Sequence, residues 1–161
     1  MTGIVVAVCC IAGTTASLLT RGQPSGEPAP TPGLGQAVRD GMFEFVVTSV
    51  DCGRTAIDNG WLHADAKGQF CVVALSVRNI GREARRFADG LQLALGPSGE
   101  RYTADTGAGV VANGNGQAVW EVINPGIRIE AKLVYDIPAG ATISTLVLHD
   151  AALSGGVVVA V

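Results

Sequence analysis

The stretch Ile127-Arg-Ile-Glu-Ala-Lys-Leu-Val-Tyr-Asp-Ile137 decides the fold class. Ile127, Ile129, Ala131, Leu133, Tyr135 and Ile137 fall on one face, and Arg128, Glu130, Lys132 and Asp136 on the other. A repeat of two sends alternate side chains to opposite sides of a pleated backbone, so this is a half-buried β-strand. A second run, Gln69 to Arg78, carries Cys71, Val73, Leu75 and Val77 on one face and Phe70, Val72, Ala74 and Ser76 on the other. Both faces are largely apolar, which predicts a central strand ending at the turn Asn79-Ile-Gly81.

Working outward, residues 42–50, 85–87, 91–95, 119–123, 143–148 and 156–161 are further short runs rich in apolar or β-branched residues. Turn-forming clusters separate them at 96–100, 113–116, 124–126 and 138–140. No apolar 3.6-residue pattern extends for ten residues with caps. Seven to nine short strands with turns at this spacing predict an all-β fold, an antiparallel immunoglobulin-like sandwich, with a closed barrel as the alternative. A domain over 38–161 is large enough to bury its own core without a structural metal.

The chain has 161 residues, of which 48% are hydrophobic and only 16% charged, so neither a disordered polyelectrolyte nor a charge-rich coiled coil fits. The net charge is −3, which removes the basic excess that nucleic-acid binding requires; no nucleic-acid partner is expected. A mean hydropathy of +0.36 has two sources. One is the set of apolar strands. The other is residues 3–19, an uncharged stretch of about 25 Å as a helix against a hydrocarbon core of about 30 Å.

Residues 1–20 therefore read as a hydrophobic helix that anchors the chain in a membrane, or as a signal segment with a weak cleavage site at Thr14-Thr15-Ala16. Cys9 and Cys10 within it read as small apolar residues of that helix, a lipidated cysteine being the alternative. A start codon further upstream would add a basic stub before the helix. Residues 21–37 follow as a disordered linker: 21–35 alone hold four of the seven prolines and four glycines. Anchor, stalk and domain together place the domain outside the cytoplasm, membrane-held or secreted. Arg21 and Glu27 cancel, so the net negative charge belongs to the folded domain.

Cys52 ends the first long strand and Cys71 opens the second, so antiparallel pairing brings them side by side. Outside the cytoplasm they are expected to form a disulfide. The intervening segment, with Asp58, Asn59, Gly60, Trp61, His63, Asp65 and Lys67, reads as a solvated loop stapled at its base.

Several motifs then resemble a known family. They are Asp40-Gly-x-Phe-Glu-Phe-x-Val-x-Ser-Val50, Cys52-Gly, Gly68-Gln-Phe-Cys71 and Val77-x-Asn-Ile-Gly81. Tyr102-x-Ala-Asp105, Ile123-Asn-Pro-Gly126, Tyr135-Asp-Ile-Pro138, Leu148-His-Asp150 and Ser154-Gly-Gly156 continue the order. The chain resembles the actinobacterial extracytoplasmic domain family of unknown function numbered 4352. Its fold is similar to that of a secreted mycobacterial immunogenic antigen with an immunoglobulin-like sandwich. The resemblance implies a fold, a lipoprotein or membrane-anchored setting and a low-complexity stalk, and no activity. Antibody hallmarks are missing, because Cys52 and Cys71 would link neighbouring strands of one sheet.

Chemistry candidates are few. His149-Asp150 near Ser154 permits a Ser, His and Asp set, but no Gly-x-Ser-x-Gly elbow exists, and a strand-end turn is the better reading. Asp89, Asp105 and Asp136 are an alternative calcium set at one end of the sandwich, each also a common turn former. Arg78, Arg82, Arg85 and Arg86 form the one local positive patch, suited to lipid head groups, a cell-wall polymer or an acidic partner. No cofactor and no catalysis are expected, and no oligomeric state is assigned. The expected function is binding, adhesion or envelope sensing through a protein or cell-envelope partner. A small-ligand or calcium-binding protein is the alternative, and a hydrolase using His149 ranks below it.

Overall fold

A computed structural model describes residues 30–114 and 122–161. The expected anchor 1–20, most of the linker and the first residues of the 119–123 strand lie outside the described residues. Among the described residues ten strands form in chain order: β1 (Ala37–Asp40), β2 (Phe43–Asp58), β3 (His63–Asn79), β4 (Arg85–Arg86), β5 (Leu93–Leu95), β6 (Arg101–Thr103), β7 (Val122–Ile123), β8 (Arg128–Ile137), β9 (Thr145–Leu148) and β10 (Val157–Ala160). Among the described residues one α-helix, α1 (Thr106–Asn113), sits between β6 and β7, and a single 3-10 turn, Asp89–Leu91, precedes β5. β1, β2, β3 and β8 make one antiparallel sheet, and β10, β9, β5 and β6 a second. β4 and β7 form a separate two-stranded ribbon. The count exceeds the seven to nine expected because β1 and β6 are short and carry Arg, Asp and Thr where an apolar run would mark a strand.

The two alternating segments do what their periods dictate. β3 lies between β2 and β8, and its Cys71, Val73, Leu75 and Val77 are all fully buried. Leu133, Tyr135 and Ile137 of β8 meet them from the neighbouring strand, and Leu146, Leu148 and Val159 close the core from the second sheet. Phe43, Phe45 and Phe87 pack edge-on or tilted with ring centroids 5.9 to 6.3 Å apart, filling one end of the core. The Ile127 end of the β8 pattern runs out into solvent, since Ile127 is exposed.

The outer face of the first sheet holds an element that no long apolar repeat announces. Asp105 accepts the Ala108 backbone N–H and caps the eight-residue helix α1, which is too short for a 3.6-residue pattern to stand out. Its Ala108 packs with Phe70 of β3 and Val134 of β8 in a small second core. This explains why Val134, on the polar face of β8 by alternation, is buried.

The loop expected between Cys52 and Cys71 is instead a hairpin. The two cysteines pair directly across β2 and β3 and are disulfide-bonded, but the ladder continues past them to Asp58 opposite His63, with bulges on either side of Arg54. The disulfide therefore links neighbouring strands of one sheet.

Candidate functional site

Two surfaces carry unexplained features, one at each end of the β2–β3 hairpin. The first is built where β2 begins and β3 ends. Gly41, at φ +54°, turns the chain so that the Met42 N–H reaches Asp150 Oδ2 at 3.1 Å; a Cβ on Gly41 would collide with that carboxylate. The Ile80 N–H donates to the Met42 carbonyl at 2.8 Å, which sets these two apolar residues side by side. The turn after β3 is held by Asn79, fully buried. Its amide donates to the carbonyls of Glu83 and Ile123, both at 2.7 Å, and its Oδ1 accepts from the Gly81 N–H at 2.8 Å. Every polar atom of the side chain is thus committed to shaping the turn.

The result is a surface cavity of about 390 Å³ lined by Met42, Ile80, Gly81, Arg82, Glu83 and Arg85. Met42 is 49% and Ile80 38% exposed, so the cavity has an apolar floor open to water. Arg85 is fixed at its edge by an ion pair from its Nε to Asp150 Oδ1, the Asp150 carboxylate being nearly buried. The expected arginine patch is therefore divided. Arg82 and Arg85 line the cavity. Arg78 instead faces Glu44, a buried carboxylate that accepts from Arg39 at 2.7 Å and lies 3.6 Å from Arg128. The hydrogen bond from Arg39, together with the positive charge of Arg39, Arg78 and Arg128, holds the Glu44 carboxyl below its usual range although burial opposes it. Arg86 lies on β4, paired with Val122 of β7.

The second surface is the hairpin tip, Asn59-Gly-Trp-Leu62. Asn59 Oδ1 accepts the backbone N–H groups of Trp61 at 3.0 Å and Leu62 at 2.9 Å. Its Nδ2 donates to the Val111 carbonyl of α1 at 3.1 Å, tying the tip to the helix. Asp58 Oδ1 accepts from Gly60, which sits at φ +87°. The backbone is thereby specified, yet Trp61 is 94% exposed and Leu62 points out beside it. His63 is held between two carboxylates, Nδ1 to Asp58 at 3.1 Å and Nε2 to Asp65 at 3.0 Å. The hydrogen bonds to Asp65 and Asp58 raise its pKa above the ordinary 6.5. Sequence reading had the signal for this tip in Asp58-Asn59-Gly60, a strong hairpin-turn triplet, but the flanking residues face solvent on both sides and show no apolar alternation.

The remaining candidates are structural in their contacts. Ser154 Oγ donates to the Ala151 carbonyl at 2.8 Å and lies 3.3 Å from His149 Nδ1. The Asp150 carboxylate points away to Arg85 and Met42. Asp40 Oδ2 accepts the Asp150 N–H at 2.7 Å; burial pushes the Asp40 carboxyl up, but this bond, with that from the Gly156 N–H, brings it below its usual range. Asp105 and Asp136 line one cavity, but Asp105 caps α1 and Asp136 accepts the N–H groups of Lys67 and Gly68. Asp89 is buried with Oδ2 unpartnered, as is the hydroxyl of Tyr135. Among the described residues no three of His, Cys, Asp and Glu come together to hold a metal ion, so the three aspartates do not form the alternative calcium set. Among the same residues no helix is long and apolar enough to cross a membrane.

Two antiparallel sheets around a core of alternating strands define a β-sandwich domain of the immunoglobulin-like class, its disulfide lying within one sheet and not between the two as in antibody domains. The structure is similar to the yjhA protein from Bacillus subtilis, with a TM-score of 0.61 at 14% identity over 81% of this chain and 99% of that one. It is similar also to MPT63, a secreted protein from Mycobacterium tuberculosis, with a TM-score of 0.58 at 16% identity over 85% of this chain and 100% of that one. An uncharacterised β-sandwich protein from Clostridium difficile aligns with a TM-score of 0.52 at 12% identity, over 86% and 99% of the two chains. The chain belongs to the family described as a domain of unknown function, DUF4352, whose model matches residues 32–158. No curated protein sequence matches it.

Proposed function

We propose that this is a non-catalytic binding domain displayed outside the cytoplasm, and that it engages a protein or cell-envelope partner through the Met42–Ile80–Arg82 end. One observation carries the reading: an apolar cavity rimmed by the charged residues Arg82, Glu83 and Arg85, open to water at one end of the domain. Exposed apolar surface next to fixed charge is what partner recognition uses, the apolar floor supplying affinity and the rim orientation. The Cys52–Cys71 disulfide fits an oxidising compartment, and the similarity to a secreted protein is consistent with that location. Residues 1–20 would then act as membrane anchor or signal. The contacts of Ser154 favour a turn over a nucleophile, since its hydroxyl proton is given to a backbone carbonyl.

Crosslinking and pull-down from intact cells, comparing the natural chain with Arg82→Asp, tests the reading. Partner capture that depends on Arg82 supports it, and capture unaffected by the substitution sinks it. Fractionation of the same cells reports the anchor: intact N-terminus in the membrane supports a helix, whereas soluble protein beginning near Ser17 means a cleaved signal.

A further inference from the structure

The two surfaces match each other. The tip presents an indole and a leucine flanked by Asp58 and Asp65, with one histidine held between those carboxylates. The cavity presents Met42 and Ile80 edged by Arg82, Glu83 and the Asp150-paired Arg85. The geometry points to head-to-tail self-association, in which Trp61 of one molecule seats in the Met42–Ile80 cavity of the next. This rests on reading the Met42 end as a binding surface and names its occupant as a second copy of this chain.

Three observations favour that occupant. Charge is complementary only in sum: the tip sets Asp58 and Asp65 against His63, and the cavity end sets Arg39, Arg78, Arg82, Arg85 and Arg128 against Asp40, Glu44, Glu83 and Asp150, several of these being paired within the molecule. An anionic membrane would be repelled by Asp58 and Asp65 beside the inserting tryptophan, whereas an arginine rim attracts them. The chemistry of the contact is also matched, since an indole packs favourably on a methionine thioether and against a guanidinium face. Lastly, the turn is built in advance. Asn59 fixes the backbone through both ends of its amide, so presenting Trp61 costs little ordering on binding.

The arrangement forbids the contact within one molecule. Cavity and tip sit at opposite ends of the same hairpin, Phe43 pairing with Asn79 at one end and Asp58 with His63 at the other. At about 3.3 Å per residue, β2 would span at most roughly 50 Å, less where its bulges bend it, which still keeps the two ends far apart. A surface that meets a different surface of its partner is heterologous, and such contacts propagate into open chains unless the rotation closes a ring.

The test uses the full chain with a photocrosslinking amino acid at position 62, leaving Trp61 in place. Crosslinks from position 62 to peptides containing Met42 or Ile80–Arg82 are expected, in a ladder of dimers, trimers and longer species that shortens as salt is raised. Trp61→Ala, a change at a side chain in solvent, should weaken association roughly thirtyfold, the loss typical of a buried tryptophan anchor. Trp61→Ala and Arg82→Asp should each be monomeric alone and form dimers, but nothing longer, when mixed, because one retains a cavity and the other a tip. A ladder unchanged by Trp61→Ala, or crosslinks only to lipid or to another protein, overturns the inference. If no ladder forms while partner capture in cells still depends on Arg82, self-association falls and the proposed function stands.

Discussion

Asp150 and Arg85, 65 residues apart in sequence, form an ion pair in which the carboxylate is nearly buried and the guanidinium half exposed. The other carboxylate oxygen holds the Met42 N–H, so one side chain joins the end of the second sheet to the start of β2 and fixes the edge of the cavity. Asp150→Asn keeps the shape and removes the charge. It should cost about 2 kcal/mol, the value of a charge-assisted hydrogen bond, read as a lower urea midpoint with an unchanged slope. Arg85→Ala should cost less, because its charge is already partly solvated.

Asn79→Ala should cost about 3 kcal/mol, since it strips two carbonyls and one N–H of their partners inside the structure. The same variant should loosen the 79–83 turn, and hydrogen exchange at Gly81 reports it directly. Protection at Gly81 equal to that of the natural chain would remove Asn79 from its role in shaping the cavity.

Tyr135→Phe is expected to be neutral or to stabilise by up to about 1 kcal/mol, because the hydroxyl is fully buried with no partner and its removal leaves the ring packing intact. Burial pushes the Tyr135 hydroxyl far above the usual tyrosine range, so no spectral sign of its ionisation should appear before alkaline unfolding. A fall in stability on Tyr135→Phe would mean that the hydroxyl makes a bond in solution.

Counting thiols in denatured, unreduced protein starting at residue 21 should find none, since Cys52 and Cys71 are the remaining cysteines. Replacing both by serine should destabilise the domain by roughly 3 kcal/mol through the added entropy of the unfolded chain, measured by chemical denaturation.

His63 should titrate above the ordinary histidine value of 6.5, followed by NMR of its ring protons, because Asp65 and Asp58 favour the charged form. The clamp's contribution to stability is present in full below the unfolded pKa and is lost as pH rises through the folded one. Asp65→Asn should move the His63 pKa back toward 6.5, because it removes the negative charge that faces Nε2 at 3.0 Å.

Much of the fold was legible because alternation is local. Cys71 to Val77 and Ala131 to Ile137 show their buried faces in the order of residues alone, and Cys52 opposite Cys71 follows from antiparallel pairing of adjacent strands. The site was less so. The arginine cluster 78–86 was visible as charge, but only the packing shows that Arg82 and Arg85 line a cavity, with Arg85 held by Asp150, while Arg78 faces Glu44. Helix α1 escaped notice because eight residues give barely two turns, and the Asp105 cap is also an ordinary turn residue.

What the sequence determined by itself is the class: a β-sandwich domain with a cysteine pair on neighbouring strands. These features depend on period, turn chemistry and residues adjacent in the chain. What only the tertiary structure decided is which surfaces stand ready for a partner. Met42 meets Asp150 across 108 positions, and Trp61 is held outward by an asparagine anchored on a helix 52 residues away. Such juxtapositions arise from packing between distant segments, and no local pattern encodes them.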